Sequence, residues 1–319
     1  MGSLKEAAEI IVKDCLAVEA GEEVLIIVDR LREEIGESIY QAAKEREAEV
    51  ILSKILMRDN HGVEPPTTLA QAMKEAEVVI MPTTKSLSHT TARVEACKTG
   101  TRAVTLPGIT AEMMKRTLNA DYKKIKARSE KLVQKLNAAQ KARVTAANGT
   151  DLELNLTGRK GHADTGVYHQ PGDFGNLPAG EAYIAPLEGE ANGKFVVDGS
   201  MSGTEVGSEI ELIVEDGYVT RINGAEAARK LEEIIAPYGQ IARNIAELGI
   251  GTNDQAQLVG NILEDEKVMN TVHVAIGDNS TMGGEVEVES HLDGIIEKPT
   301  LELNDEVIMV EGKFKKIYK

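Results

Sequence analysis

The chain has 319 residues, 42% hydrophobic and 28% charged, a composition that folds rather than one that stays disordered. A formal charge of −16 leaves no basic face for nucleic acid, and with 3% aromatic residues and no tryptophan the cores must be built from Val, Ile, Leu, Ala and Met. Two cysteines, Cys15 and Cys97, are too few for a disulfide framework or a thiolate metal site, and no run approaches the roughly 20 apolar residues of a membrane span.

The N-terminal stretch "MGSLKEAAEIIVKDCLAV" carries charges throughout and does not read as a signal peptide, so a cytoplasmic protein without a membrane partner is expected. Length suggests about two domains. "EVLIIVD" (23–29) and "EVILSKIL" (49–56) read as strands around a helix over 31–47, "LREEIGESIYQAAKERE". "AEVVIMP" (76–82) and "TRAVTLP" (101–107) are further buried strands, and "SLSHTTARVEACKTG" (86–100) begins a helix capped by Ser88 or Thr90. Strand–helix alternation at this spacing predicts a parallel sheet covered by helices, an α/β N-terminal domain over 1–141. No glycine-rich phosphate loop follows any of these strands, so a nucleotide site has no support.

A long lysine-rich helix over 119–142 serves as connector, and after it the rhythm changes. "ARVTAANGTDLELNLTG" has the Asn-Gly signal of a tight hairpin, and "GKFVVDGSM", "IELIVEDGYVTRING" and "NDEVIMVEGKF" alternate with period two. One helix interrupts at 225–239. The second domain, 142–319, is therefore expected to be a mostly antiparallel α+β domain.

Its histidines and acids are the candidates for chemistry. In "SHLDGII", His291 and Asp293 project from one strand face, and H-x-D places an imidazole and a carboxylate on one ion. Glu285, Glu287 and Glu289 share that face if the strand is regular. In "TVHVAIG", His273 lies opposite Val272, Val274 and Ile276, on a face otherwise made of Thr271, Ala275 and Gly277. Glu247 in "NIAELGIGTN" and Glu181 in "NLPAGEAYIAP" sit in apolar, glycine-rich runs, where an unpartnered carboxylate costs several kcal/mol. Glu181, Glu247, His273, His291 and Asp293 exceed the three ligands of one catalytic zinc and suit two divalent ions about 3.5–4 Å apart. Zn, Co, Mn and Fe all accept such donors. The bland reading is a core histidine at 273, edge-strand glutamates and a solvated acidic face. "RKGHADTGVYHQPGDFGN" (159–176), with His162, Tyr168 and His169, is a candidate lid.

"LPAGEAYIAPLEG", "IAELGIGTN", "HVAIGDN" and "SHLDGII" resemble, in order, the metal-binding segments of the aminopeptidase T and aminopeptidase S family, and residues 84–110 resemble its N-terminal domain. The resemblance implies a homodimer, two metals held by Glu181, Glu247, His273, His291 and Asp293, and release of N-terminal amino acids from peptides. A metal-activated water would attack the peptide carbonyl, with Glu247 bridging the ions and Glu181 or an acid at 285–289 as general base. Two departures stand out: the segment between His273 and His291 is short, and Ser280 replaces a tyrosine that many members carry. The same superfamily includes ring-cleaving dihydroxypyridine dioxygenases, which use one iron. His273, His291 and Asp293 alone form the two-histidine, one-carboxylate set of non-heme iron oxygenases. A metallo-aminopeptidase acting on peptides is the leading expectation. The alternative is the mononuclear iron dioxygenase acting on a small aromatic or pyridine substrate, and a non-catalytic metal- or peptide-binding protein is a third.

Overall fold

A computed structural model describes residues 2–202 and 209–316. The apolar runs of the N-terminal half form strands Glu23–Val28, Val78–Met81 and Arg102–Thr105, buried along nearly their whole length as strands covered on both faces must be. With Glu49–Lys54 on the outside they pair in parallel, in the order 49–54, 23–28, 78–81, 102–105. A fifth strand, Phe174–Asn176, arrives from much later in the chain and pairs in parallel with Arg102–Thr105. Helix Glu33–Glu45 turns Ile35, Ile39, Ala42 and Ala43 inward. Helix Thr91–Thr99 starts at Thr90, whose hydroxyl accepts from the Arg93 amide at 3.3 Å, and stops at Gly100 with φ 109°. The α/β reading of this half holds.

The second half carries two sheets. Eight antiparallel strands form the larger one, built from hairpins such as Lys141–Thr145 with Asp151–Asn155 and Ile210–Glu215 with Tyr218–Gly224. The second hairpin turns at Asp216 and Gly217, with φ 47° and 78°, the positive pair a tight primed turn requires. The smaller sheet orders His291–Ile296, Val272–Gly277, Ile245–Gly251, Glu181–Ile184 and His162–Asp164. Along it, Ala182, Ile184, Leu248, Ile250, Val272, Val274, Ile276 and Ile296 point into one hydrocarbon core shared with Phe195, Leu212 and Leu231. Period-two alternation therefore leaves the odd-numbered face free for polar side chains.

Two compact units result: Met1–Lys123 with Asp164–Ala179, and Lys124–Ala163 with Gly180–Lys319. The single boundary expected at 141 is replaced by these crossings. Helix Tyr122–Ala138 places Leu132 and Leu136 in the core of the second unit, and residues 164–179 return to the first to supply its fifth strand. Among the described residues no helix is long and apolar enough to cross a membrane.

Candidate metal centre

Four neighbouring strands of the smaller sheet each contribute to one cluster on the odd-numbered face. Across the sheet, Glu247 is in register with Ala275 and Ala275 with Asp293, so a methyl separates the two carboxylates. Gly249 lies opposite His273, Gly251 opposite Glu181, and Gly277 opposite His291. Each candidate ligand thus faces a glycine or alanine, which clears a floor for the larger side chains. At Gly249 the clearance is obligatory, since a Cβ there would lie 1.8 Å from His273 Nε2. Between Ile245 and Glu247 the register slips by one residue, a bulge that brings Glu247 level with Ala275.

The Glu247 carboxylate joins the two imidazoles. Its Oε1 is 3.2 Å from His273 Nε2 and its Oε2 is 3.3 Å from His291 Nε2. Glu181 Oε2 is 3.2 Å from His273 Nε2, and Asp293 Oδ1 is 3.4 Å from His291 Nε2. Two overlapping donor groups follow, Glu181–Glu247–His273 and Glu247–His291–Asp293, each with its donor atoms within 4.8 Å of one another. His273 is fully buried, the three acids are nearly so, and the His291 side chain is 30% exposed, which puts the opening of the cluster at His291. His291 Nδ1 donates to the Asp278 carbonyl at 2.7 Å, so in the neutral ring Nε2 carries the lone pair that faces the carboxylates.

Electrostatics describe a centre short of positive charge. Burial pushes both imidazoles down, yet Glu181 and Glu247 hold His273, and Asp293 and Glu247 hold His291, well above the usual histidine range. Burial likewise pushes the Glu247 and Asp293 carboxyls up, but the histidines beside them win and hold both below the usual range. Without another cation, the imidazoles must carry protons to balance the acids. Glu181 Oε2 makes no hydrogen bond among the described residues beyond its 3.2 Å approach to His273 Nε2, and His273 Nδ1 makes none. Oxygen and imidazole donors, buried and convergent, are what a divalent ion fits.

The structure brings together all five residues singled out from the sequence. It does not bring Glu285, Glu287 or Glu289: residues 285–289 form no strand, and all three side chains are exposed. Their segment's amides are taken by side chains instead, Glu285 N donating to Glu188 Oε1 at 2.9 Å and Val286 N to Asn279 Oδ1 at 2.9 Å. Ser280 is exposed in a short turn and hydrogen-bonded to Asp278. Of the candidate lid, His162 stacks on Tyr183 with centroids 5.4 Å apart, whereas Tyr168 is buried and hydrogen-bonded to Asp164 within the first unit. Asn253 Oδ1 accepts from Gln255 N, a turn role.

Sequence reasoning missed Lys267. It is fully buried, with Nζ 2.5 Å from Glu181 Oε1 and 2.7 Å from Glu266 Oε1. Burial pushes the Glu266 carboxyl up to about 8 against the pull of Lys267, so near neutrality it accepts from the ammonium mainly as an uncharged group. In "LEDEKVMN" the lysine looks like part of a solvated charge run, and nothing local to it signals a partner 86 positions away.

Fold and cluster define a protein of an α/β and an α+β unit with a buried polar centre on the smaller antiparallel sheet of the second. The model of the 2,5-dihydroxypyridine 5,6-dioxygenase (NicX) family matches residues 9–316, and the chain belongs to that family. Among solved structures it is similar to the 2,5-dihydroxypyridine dioxygenase of Pseudomonas putida KT2440, with 20% identity over 98% of this chain and 97% of that one, at a TM-score of 0.83. It is also similar to wild-type AmpT from Thermus thermophilus, with 17% identity over 98% of both chains and a TM-score of 0.71. At these identities the likenesses show a shared fold. No curated protein sequence matches the chain significantly.

The family match overturns the leading expectation of a metallo-aminopeptidase, and with it the terms hydrolase and protease and the roles given to Glu181 and Glu247 in peptide hydrolysis. What remains of that resemblance is the fold shared with AmpT. The cause of the error is chemical. Histidine and carboxylate donors serve a Lewis acid that activates water as readily as an ion that handles dioxygen, so ligand types alone do not separate the two reactions.

Proposed function

We propose that the protein is a ring-cleaving dioxygenase that acts on a dihydroxylated pyridine, using one divalent iron at the cluster on the smaller sheet. Membership of the 2,5-dihydroxypyridine 5,6-dioxygenase family over residues 9–316 is the observation that carries this reading. In this proposal His273 Nε2, His291 Nε2 and the Asp293 carboxylate hold the ion, the two-histidine, one-carboxylate set that leaves positions open. When bound, the iron supplies the means for dioxygen and the ring to react with one another.

The chain's own residues do the rest. The Asp278 carbonyl fixes His291 in the tautomer that presents Nε2. Gly249 and Ala275 keep the floor low enough for the imidazole of His273 and for the carboxylates of Glu247 and Asp293 to converge. Glu247 sits between both imidazoles and orients them. Glu181 Oε2, beside His273 Nε2 at 3.2 Å, is an acceptor for a proton from a ring hydroxyl. The hydrocarbon behind the sheet keeps water from the rear of the cluster, leaving the His291 side as the approach.

The test is oxygen uptake. Protein reconstituted anaerobically with Fe(II) and mixed with 2,5-dihydroxypyridine in aerated buffer should consume dioxygen as the ring's ultraviolet absorbance disappears. No uptake with this or other dihydroxypyridines, from protein shown to hold iron, would overturn the reading.

A further inference from the structure

Five donors arranged as two overlapping groups sharing Glu247 make a frame that two ions can occupy, one in each group. Among the described residues, one of the two groups has a lysine or arginine beside it. Lys267 Nζ contacts Glu181 Oε1 at 2.5 Å, whereas His291 and Asp293 have no lysine or arginine partner among the described ion pairs. We propose that Lys267 sets the metal count of this centre, its ammonium taking the place of a second ion at the Glu181 side so that the frame accepts one divalent ion.

The lysine is built into position. Its carbonyl accepts from the Asn253 amide at 2.9 Å and its amide donates to the Glu264 carbonyl at 3.0 Å. The main chain at 267–268 presses against Gly251, where a Cβ would lie 1.9 Å from the Val268 carbonyl oxygen, and Gly251 is in register with Glu181. At 1% exposure the side chain has no route to solvent, and it is held between the carboxyl groups of Glu181 and Glu266. Charge decides the count. The carboxylates of Glu181, Glu247 and Asp293 against one ammonium leave two negative charges, which a single divalent ion balances. A second dication beside the ammonium would leave two surplus positive charges, and removing the ammonium halves that surplus; buried net charge is strongly disfavoured.

This inference rests on the proposed mononuclear reading, and one experiment separates the two. Metal-free protein is titrated with Mn(II), bound ions are counted by elemental analysis, and the electron paramagnetic resonance spectrum reports whether spins couple. Wild-type protein should bind one uncoupled ion per chain; two or none would overturn the mononuclear reading itself. Lys267→Met should shift the count to two with a coupled signal, and Lys267→Arg should keep it at one. Lys267→Gln retains a hydrogen-bond donor toward Glu181 without the charge; it should also bind two, and it serves where the methionine variant does not fold. If wild type binds one and the folded neutral variants still bind one, or bind none, Lys267 does not set the count and the inference falls alone.

Discussion

Gly249→Ala is the smallest change that tests how the cluster is assembled. A Cβ at 249 would stand 1.8 Å from His273 Nε2, where ordinary contact begins at 3.4 Å, so one of the two must move by about 1.6 Å. Metal–ligand distances tolerate departures of only about 0.2 Å. Neither group can retreat freely: the Gly249 backbone is paired on both sides, with His273 and with Tyr183, and the His273 ring is fully buried against Glu247 and Glu181. The overpacking should cost about 1–3 kcal/mol of stability and should also remove His273 as a ligand. Thermal melting with and without Fe(II) under anaerobic conditions reads both effects. Wild type should gain about 2.7 kcal/mol at an iron concentration 100-fold above its dissociation constant. The variant should melt as a folded protein, at lower temperature, with most of the iron-dependent rise gone. A variant that keeps the full rise would refute the claim that this glycine makes room for a ligand.

Other outcomes follow from the same geometry. His291→Ala and Asp293→Ala should each abolish metal retention after desalting while leaving the far-ultraviolet circular dichroism unchanged; full metal content in either would remove that residue from the ligand set. Both imidazoles titrate above their unfolded value of about 6.5, so in metal-free protein the stability they confer is fully present below that pH and is lost as pH rises through their folded values. The melting temperature of the metal-free form should therefore fall, as pH rises above about 6.5, more steeply than that of the iron-loaded form, whose imidazoles are already deprotonated. Parallel slopes would contradict this. Burial pushes the Cys15 thiol well above its usual range, so native protein should leave it unreacted with a thiol reagent that labels both cysteines once the chain is unfolded.

Much of the site was legible because strands write it with period two. The alternation in "TVHVAIG" put His273 on the face of Ala275 and Gly277, and H-x-D put His291 beside Asp293; both hold in the structure. Glu247 and Glu181 were legible as acids in apolar runs. The bulge before Glu247 was not, because a one-residue slip leaves no mark in composition. The acids at 285–289 looked like a strand face by spacing alone, while Asn279 and Glu188 in fact occupy that segment's amides. Lys267 was invisible because its partner Glu181 is brought to it only by the pairing of the sheet and the turn at Asn253. The reaction was misread because the donor types legible in the sequence serve water activation and dioxygen chemistry alike.

Crystals soaked anaerobically with Fe(II) and measured at the iron absorption edge would locate the ion itself. One anomalous peak per chain is expected, about 2.0–2.3 Å from His273 Nε2 and His291 Nε2 and from the Asp293 carboxylate. A map without a peak among these residues, or with its peak elsewhere in the chain, would contradict it.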